Sequence, residues 1–358
     1  PLQSTRERNW FKVNWILYNT NLYHSFNKNT KLSVNLYGLS AFRYALGFRT
    51  NRSDQPDILK ERDLIKSRFN NIASEVRILN NHKLLTKRAI GLIGAKIYKS
   101  NNKSQQGPGS SASIPDFEFY TNEYPYYSNQ SDYKLPNSNT AVFGEEIIYI
   151  TDKMSIVPGF RYEYIKTEAI GDYTQINIDG AGNPIWDTII YEEKERTRDF
   201  LLFGCGIVYK LNSKNQIYAN LTQNYKSITF SDISIVNPAF MVDEDIEDEK
   251  GYTLDVGFRG KKNKILSYNI NGFYVAYKDR IGFIERNIDG NVKSERTNVG
   301  DAIIFGLESF IFCDISKLIN LEKFQINSYI NSSIINSSYI RSKENGIGIS
   351  SLQLLIQL

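Results

Sequence analysis

The sequence predicts an all-β fold, and specifically a transmembrane antiparallel β-barrel. The first observation is a repeat from Trp10 to about Arg341, in which two long amphipathic runs joined by a tight polar turn precede a long polar loop. Barrels of outer membranes sort their connections in this way, with short turns on one rim and large loops on the other. The second observation is a period-two alternation of apolar and polar residues, and the third is that several runs exceed the usual strand of about five or six residues.

The tight turns define about six strand pairs, or about twelve strands, in one barrel domain over residues 1–358. Five of the six links are short clusters of Asn, Asp, Ser and Lys, which are typical hairpin residues. The predicted pairs are 11–26 with 31–46, 69–79 with 89–98, 141–150 with 155–170, 198–211 with 216–225, 251–260 with 265–284, and 298–312 with 324–341. The predicted long loops between pairs are 47–68, 100–139, 171–197, 226–250 and 285–297. We predict the turn of the second pair at 80–83.

One face of each predicted strand is apolar, and the other carries charges or glycine. In the run 254–259, the apolar face consists of Leu254, Val256 and Phe258. The opposite face carries Asp255 and Arg259. Since successive side chains of a strand point to opposite faces, we expect the apolar face to meet lipid and the polar face to line a wet lumen. The alternation alone also fits a soluble β-sandwich whose apolar face is packed inside.

The composition excludes several other classes. The net charge of +4 is spread along the chain without a basic block, so we expect no nucleic-acid partner. No apolar run is long enough for a transmembrane helix, and the first residues lack a signal peptide, which predicts a mature chain or a piece of a longer one. Cys205 and Cys313 lie in strand-like runs that are not expected to be neighbours, and we predict two unpaired thiols in apolar surroundings.

Five segments, in order, resemble the TonB-dependent outer-membrane receptors. They are SIVPGFRYEYIKTEA (155–169), NQIYANLTQNYKSITFSDI (215–233), NPAFMVDEDIEDEKGYTLDVGFRG (237–260), FYVAYKDRIG (273–282) and TNVGDAIIFGLESF (297–310). The resemblance is best to the ferric dicitrate receptor branch as found in Bacteroidetes-like bacteria, and it covers most of residues 9–341. It implies an outer-membrane barrel of about 22 strands, plugged by an N-terminal domain, that imports iron chelates with energy from the TonB complex.

The sequence departs from the family pattern in three respects. No plug domain or TonB box is found, about twelve strands are visible, and the end GISSLQLLIQL lacks the terminal aromatic residue of such barrels. We therefore expect the middle and later part of a receptor barrel. A half barrel alone would leave two bare strand edges, which lipid does not tolerate, so a non-functional truncated remnant is one alternative.

The predicted function is uptake of an iron chelate, ferric dicitrate or a siderophore, by a receptor in the bacterial outer membrane. The alternatives are a receptor for haem, cobalamin or an oligosaccharide, and a soluble β domain that binds a ligand. We predict no enzyme, because no nucleophile has a matching base, and no cofactor or structural metal. His24 and His82 are not expected to form a metal pair, and the acidic run 243–249 is interpreted as a solvated loop leading into the strand at Tyr252 rather than a calcium site.

Candidate ligand-binding residues lie in the predicted long loops. An anionic ferric chelate needs Arg or Lys for its charge and aromatic rings for its organic shell. The candidates are Arg49, Arg52, Tyr120, Tyr124, Tyr126, Tyr127, Tyr133 and Trp186, and the aromatic segment 117–134 is the best patch. The expected partners are the ferric chelate, the TonB complex through the plug, and outer-membrane lipid.

Overall fold

A computed structural model of the chain describes residues 6–49, 55–181, 183–228, 240–263, 265–288, 291–342 and 351–357. These residues form one sheet with the antiparallel strand order β1-β2-β3-β4-β5-β6-β7-β8-β10-β11-β12-β13-β14. The strands are β1 Trp10–Ser25, β2 Thr30–Gly47, β3 Asp63–Leu84, β4 Lys87–Pro108, β5 Ser131–Tyr149, β6 Met154–Ile178, β7 Pro184–Lys210, β8 Asn215–Lys226, β9 Phe240–Val242, β10 Glu249–Lys262, β11 Leu266–Ile288, β12 Asn291–Asp314, β13 Asn327–Ser342 and β14 Ser351–Gln357. A one-turn helix, α1 (Ile315–Leu318), leads from β12 towards β13, and β9 pairs in parallel with β12. None of the described helical residues forms a segment long and apolar enough to cross a membrane.

The six predicted hairpins are confirmed, and the described part of the chain adds the short β9 and the strand β14. The predicted loops at 171–197 and 285–297 are wrong, because β6, β7, β11 and β12 continue through them as paired strands. The turn predicted at 80–83 is also wrong. Asn80 pairs with Thr30 and Gly91, and the chain reverses at Leu85 and Thr86, where Leu85 has a φ of 56°. Polar residues suggested a turn there, but asparagine and histidine side chains are satisfied equally well on a strand near the rim.

The outward face of the sheet is apolar over a continuous belt. Adjacent rows place Phe160 beside Phe203, and Leu254 between Leu221 and Tyr274. Phe160, Phe203 and Val256 remain 42%, 57% and 49% exposed, so these residues do not form the packed core of a water-soluble body. We call the following residues the apolar belt: Ile72, Val76, Ile78, Ile93, Ile97, Val142, Phe160, Tyr162, Leu201, Phe203, Ile207, Leu221, Tyr252, Leu254, Val256, Ile270, Phe305, Leu307, Ile330 and Ile334. A surface of this width is stable against hydrocarbon, not against water.

The opposite, inner face is polar and ion-paired. Arg161 pairs with Glu163, which also accepts a hydrogen bond from Asn139, and Arg77 pairs with Glu75. Near the loop side this face also carries a small apolar cluster, to which the segment between β8 and β10 contributes. The cluster consists of Tyr133, Ala169, Tyr173, Ile228, Ile246 and Ile281. It joins β5 and β6 to β11 and places Ile246 on the inner face.

Candidate ligand-binding region

The loop-side rim is organised around the carboxylate of Asp63, the first residue of β3. Asp63 is 5% exposed and accepts hydrogen bonds from Gln106, from the Tyr127 hydroxyl at 2.9 Å and from Arg49 at 2.9 Å. Burial, and then the Asp63 charge, raise the pKa of the Tyr127 phenol, which keeps it protonated as a donor. Both predicted candidates Arg49 and Tyr127 therefore bind the same carboxylate. The Tyr127 hydrogen bond holds the aromatic segment 117–134 against the first residue of β3.

A second anchor of the same loop is Arg62, which is completely buried. Its guanidinium donates to the carbonyl and hydroxyl of Ser110, to the carbonyl of Arg8 and to Asp116. Arg8 in turn pairs with Asp57 through two hydrogen bonds and donates to the carbonyls of Lys60 and Ser111. The loops that precede β1, β3 and β5 are thus joined to one another by two arginines with few exposed atoms.

The Arg8–Asp57 pair predicts a pH-dependent rim. Hydrogen bonds from Arg8 hold the pKa of Asp57 below its ordinary value, so this stabilisation is complete above the unfolded-state pKa of about 3.9 and is lost as pH falls through the lower folded-state pKa. We expect amide exchange in residues 6–9 and 55–62 to accelerate below about pH 4, relative to its intrinsic rate. Hydrogen exchange of the wild type and of Asp57→Asn checks this, since the variant should exchange fast at every pH. A wild type whose corrected exchange does not change between neutral and acidic pH would contradict it.

The other predicted candidates are dispersed. Tyr120 and Tyr124 are half-buried in a turn in which the Tyr124 amide donates to the Tyr120 carbonyl, and the neighbouring Asp116 raises the pKa of Tyr120. Tyr126 is exposed. Trp186 is an exposed residue of β7 on a different hairpin, so its placement in a loop was wrong. Tyr133 is buried and donates to Glu192, and Arg52 lies outside the described residues.

Sequence reasoning missed a set of residues on the inner face of β1 to β3. Trp15 and Phe69 flank Ala41 in one row, with their ring centroids 6.3 Å apart, and the Arg43 guanidinium lies 5.9 Å from the Phe69 ring. A pocket of about 280 Å³ lies nearer the rim on the same three strands, and Phe11, Arg49 and Asp63 are among the residues of its wall. We call Phe11, Trp15, Arg43, Arg49 and Phe69 the lumen patch. The sequence feature that could have indicated the patch is the apolar run of β1. Its inward positions are apolar, whereas the inner face of the other strands is polar.

Arg43 and Arg49 are both exposed cations of the lumen patch, and they differ in their ion pairs. No carboxylate among the described residues lies within ion-pair distance of Arg43, whereas Arg49 is paired with Asp63. Gly47, which pairs with Asp63, is four residues along β2 from Arg43. The positions of Arg43 and Asp63 are therefore about 13 Å apart along the strand direction. Within the described part of the chain, the patch therefore combines a positive charge without an ion pair and aromatic rings on a wall that leads inward from the rim.

The acidic run 243–249 is only partly the solvated loop that we expected. Glu244 and Asp245 are exposed, but Asp248 pairs with Arg198 and with the Tyr225 hydroxyl, and Glu249 is 3% exposed and accepts from the Ile281 amide. Since Ile246 is buried between them, the run is folded onto the inner face. Within the described ranges no group of His, Cys, Asp and Glu has the arrangement of a metal site.

The chain matches the family described as TonB dependent receptor-like, beta-barrel, over residues 2–345. The chain belongs to this family of TonB-dependent receptors. The family consists of receptors and transporters of the Gram-negative outer membrane, and the apolar belt is accordingly the lipid-facing surface. A similar curated protein is the rhizobactin receptor of Rhizobium meliloti (strain 1021), which is 28% identical over 138 residues, covering 34% of this chain and 18% of that protein.

Solved structures of similar fold include a ferric citrate transporter and a ferric-catecholate import receptor. The ferric citrate transporter FecA in its unliganded form has a TM-score of 0.72 at 16% identity, over 97% of this chain and 46% of that one. The ferric-catecholate import receptor Fiu from K12 E. coli has a TM-score of 0.65 at 12% identity, over 96% and 50%. The chain thus spans about half the length of these solved chains.

Proposed function

We propose that the chain forms the barrel wall of a receptor that imports a ferric chelate, with ferric dicitrate or a related anionic siderophore as cargo. The observation that carries the proposal is the lumen patch, with Arg43 beside the Phe69 and Trp15 rings. In this proposal residues 1–358 act as one barrel domain that transports and does not catalyse, and the family's TonB complex supplies the energy.

The chemistry of the patch fits an anionic chelate with an organic shell. A guanidinium offers several planar donors to carboxylate or catecholate oxygens, and aromatic faces cover the carbon skeleton. Arg43 is free for this role because it makes no ion pair with a described residue. Arg49 would contribute at the rim, although Asp63 neutralises part of its charge.

The names of similar proteins support the class of cargo. They describe a rhizobactin receptor, a ferric citrate transporter and a ferric-catecholate import receptor. Two of the three names state a ferric cargo. They favour a ferric chelate over haem, cobalamin or an oligosaccharide, and the charge of Arg43 favours an anionic one.

The test is Arg43→Gln in cells that depend on this receptor for iron. We expect the affinity for ferric dicitrate to fall about tenfold or more, since a hydrogen bond to a charged group contributes about 1.5–3 kcal/mol. Binding is measured by quenching of tryptophan fluorescence, and uptake by growth on the chelate as sole iron source. The matched control is Arg68→Gln. Arg68 is also an exposed arginine, and it follows Ser67, the residue of β3 that pairs with Arg43, so its side chain points to the outward face.

Three results would contradict the proposal. Equal losses in Arg43→Gln and Arg68→Gln would remove the lumen patch from the binding path. An equal loss for a neutral ferric hydroxamate and for ferric dicitrate would show that charge is not what Arg43 provides. Growth rescue by haem or cobalamin, without rescue by any ferric chelate, would assign a different cargo to the receptor.

A further inference from the structure

The lipid-facing surface carries a groove of about 550 Å³ near its tight-turn end. Gly91 and Gly144 create this groove because they occupy outward positions of β4 and β5 in rows where neighbouring strands carry large side chains. The apolar wall of the groove consists of Ile78, Ile93, Pro158, Phe160 and Phe203. Since this wall belongs to the surface that meets hydrocarbon, a lipid acyl chain is the natural occupant of the groove.

The turn-side end of the groove is polar and negatively charged. Glu146, directly opposite Gly91 in the ladder, lies with its Oε1 atom 3.2 Å from Nε2 of His82. That Oε1 atom is buried and accepts no hydrogen bond from the described residues. A Cβ atom at Gly91 would come within 2.5 Å of the other carboxylate oxygen, so Glu146 extends over the open space that the glycine leaves.

A carboxylate at the edge of a lipid-facing surface is costly unless a cation meets it. The side chain of His82 is an incomplete partner, because the imidazole is charged only in its protonated form. A primary ammonium group would provide a permanent charge and three donors. The negative end and the apolar wall therefore match the two parts of an amine-bearing phospholipid, the head group and an acyl chain.

We propose that this groove binds one phosphatidylethanolamine molecule of the periplasmic leaflet. The leaflet follows from the position of the groove, because short turns lie on the periplasmic side of such barrels. One acyl chain lies against Ile78, Ile93 and Phe160, and the ammonium group meets Glu146. This lipid site depends on the orientation of the sheet in the membrane and is independent of the cargo.

The experiment uses the receptor extracted from outer membranes in a mild detergent. Native mass spectrometry measures the lipid that remains bound after exchange into an equal mixture of phosphatidylethanolamine and phosphatidylglycerol. Glu146→Gln removes the charge and keeps the shape, whereas Ile78→Trp fills the groove from a lipid-facing position. The control is Glu75→Gln, which removes a carboxylate on the opposite face of β3. Heat-modifiable migration on a gel shows that each variant has assembled.

We expect the wild type to retain one phosphatidylethanolamine with a preference of about tenfold over phosphatidylglycerol, which corresponds to about 1.4 kcal/mol. Glu146→Gln should abolish the preference, Ile78→Trp should lower retention of both lipids, and Glu75→Gln should behave as the wild type. The proposal is overturned if the wild type retains no lipid, if Glu146→Gln keeps the preference, or if Ile78→Trp retains as much lipid as the wild type. The two variants test different ends of the groove, so one remains informative if the other fails to assemble.

Discussion

Replacement of Arg62 by alanine is expected to release the rim loops from the barrel while the sheet stays intact. The side chain is fully buried, and its loss removes the guanidinium that donates to the Asp116 carboxylate and to the carbonyls of Ser110 and Arg8. Breaking a buried ion pair by removing one partner costs about 3–5 kcal/mol. Because the strands have their own ladder, we expect this cost to appear as local opening of residues 55–62 and 109–127.

Hydrogen exchange measures the opening directly. A loss of about 3–5 kcal/mol corresponds to a fall in protection of roughly two to four orders of magnitude in these two segments, with the central strands unchanged. Arg68→Ala is the matched control, since Arg68 is exposed and has one long hydrogen bond, at 3.4 Å to the Tyr44 hydroxyl. If both variants changed rim exchange by the same small amount, Arg62 would not be the anchor of these loops.

Arg62 also shows what the sequence could not predict about the rim. The alternation within strands predicted the hairpins and the orientation of the faces, because each step of that argument uses only neighbouring residues. The anchors of the rim join residues that are far apart in the chain, such as Arg8 with Asp57 and Arg62 with Asp116. No local pattern marks such pairs, so the aromatic segment 117–134 was predicted to be a ligand-binding patch, although its Tyr127 donates a hydrogen bond to Asp63.

The lumen patch was missed for a related reason. Trp15 and Phe69 belong to strands separated by β2, and only the register of both pairings places them in one row around Ala41. The sequence alone does not show whether Trp15 points inward or outward, because both faces of β1 carry large apolar side chains. In contrast, β10 alternates cleanly, and its lipid-facing side was predicted correctly from six consecutive residues, 254–259.

Val256→Arg tests whether this side of β10 faces lipid, and we expect it to cause a large loss of stability. Val256 lies on the outward face in the row of Ala219 and Gly272, within the apolar belt, and is 49% exposed. An arginine near the midplane of a membrane barrel costs about 2–4 kcal/mol, because lipid cannot hydrate the charge. We expect the free energy of unfolding in lipid vesicles to fall by that amount, measured by denaturant titration of tryptophan fluorescence.

The matched control places the same side chain on the other face of the adjacent strand. Asn271 points inward next to the carboxylate of Asp255, with its amide nitrogen 3.5 Å from that oxygen, so Asn271→Arg gains a partner in a wet lumen. We expect its effect to be within about 0.5 kcal/mol of zero, as for ordinary surface changes. The difference between the two variants, and not either value alone, reports which side meets lipid. A larger loss for Asn271→Arg than for Val256→Arg would reverse the orientation, and with it both the lumen patch and the lipid groove would lie on the wrong sides of the sheet.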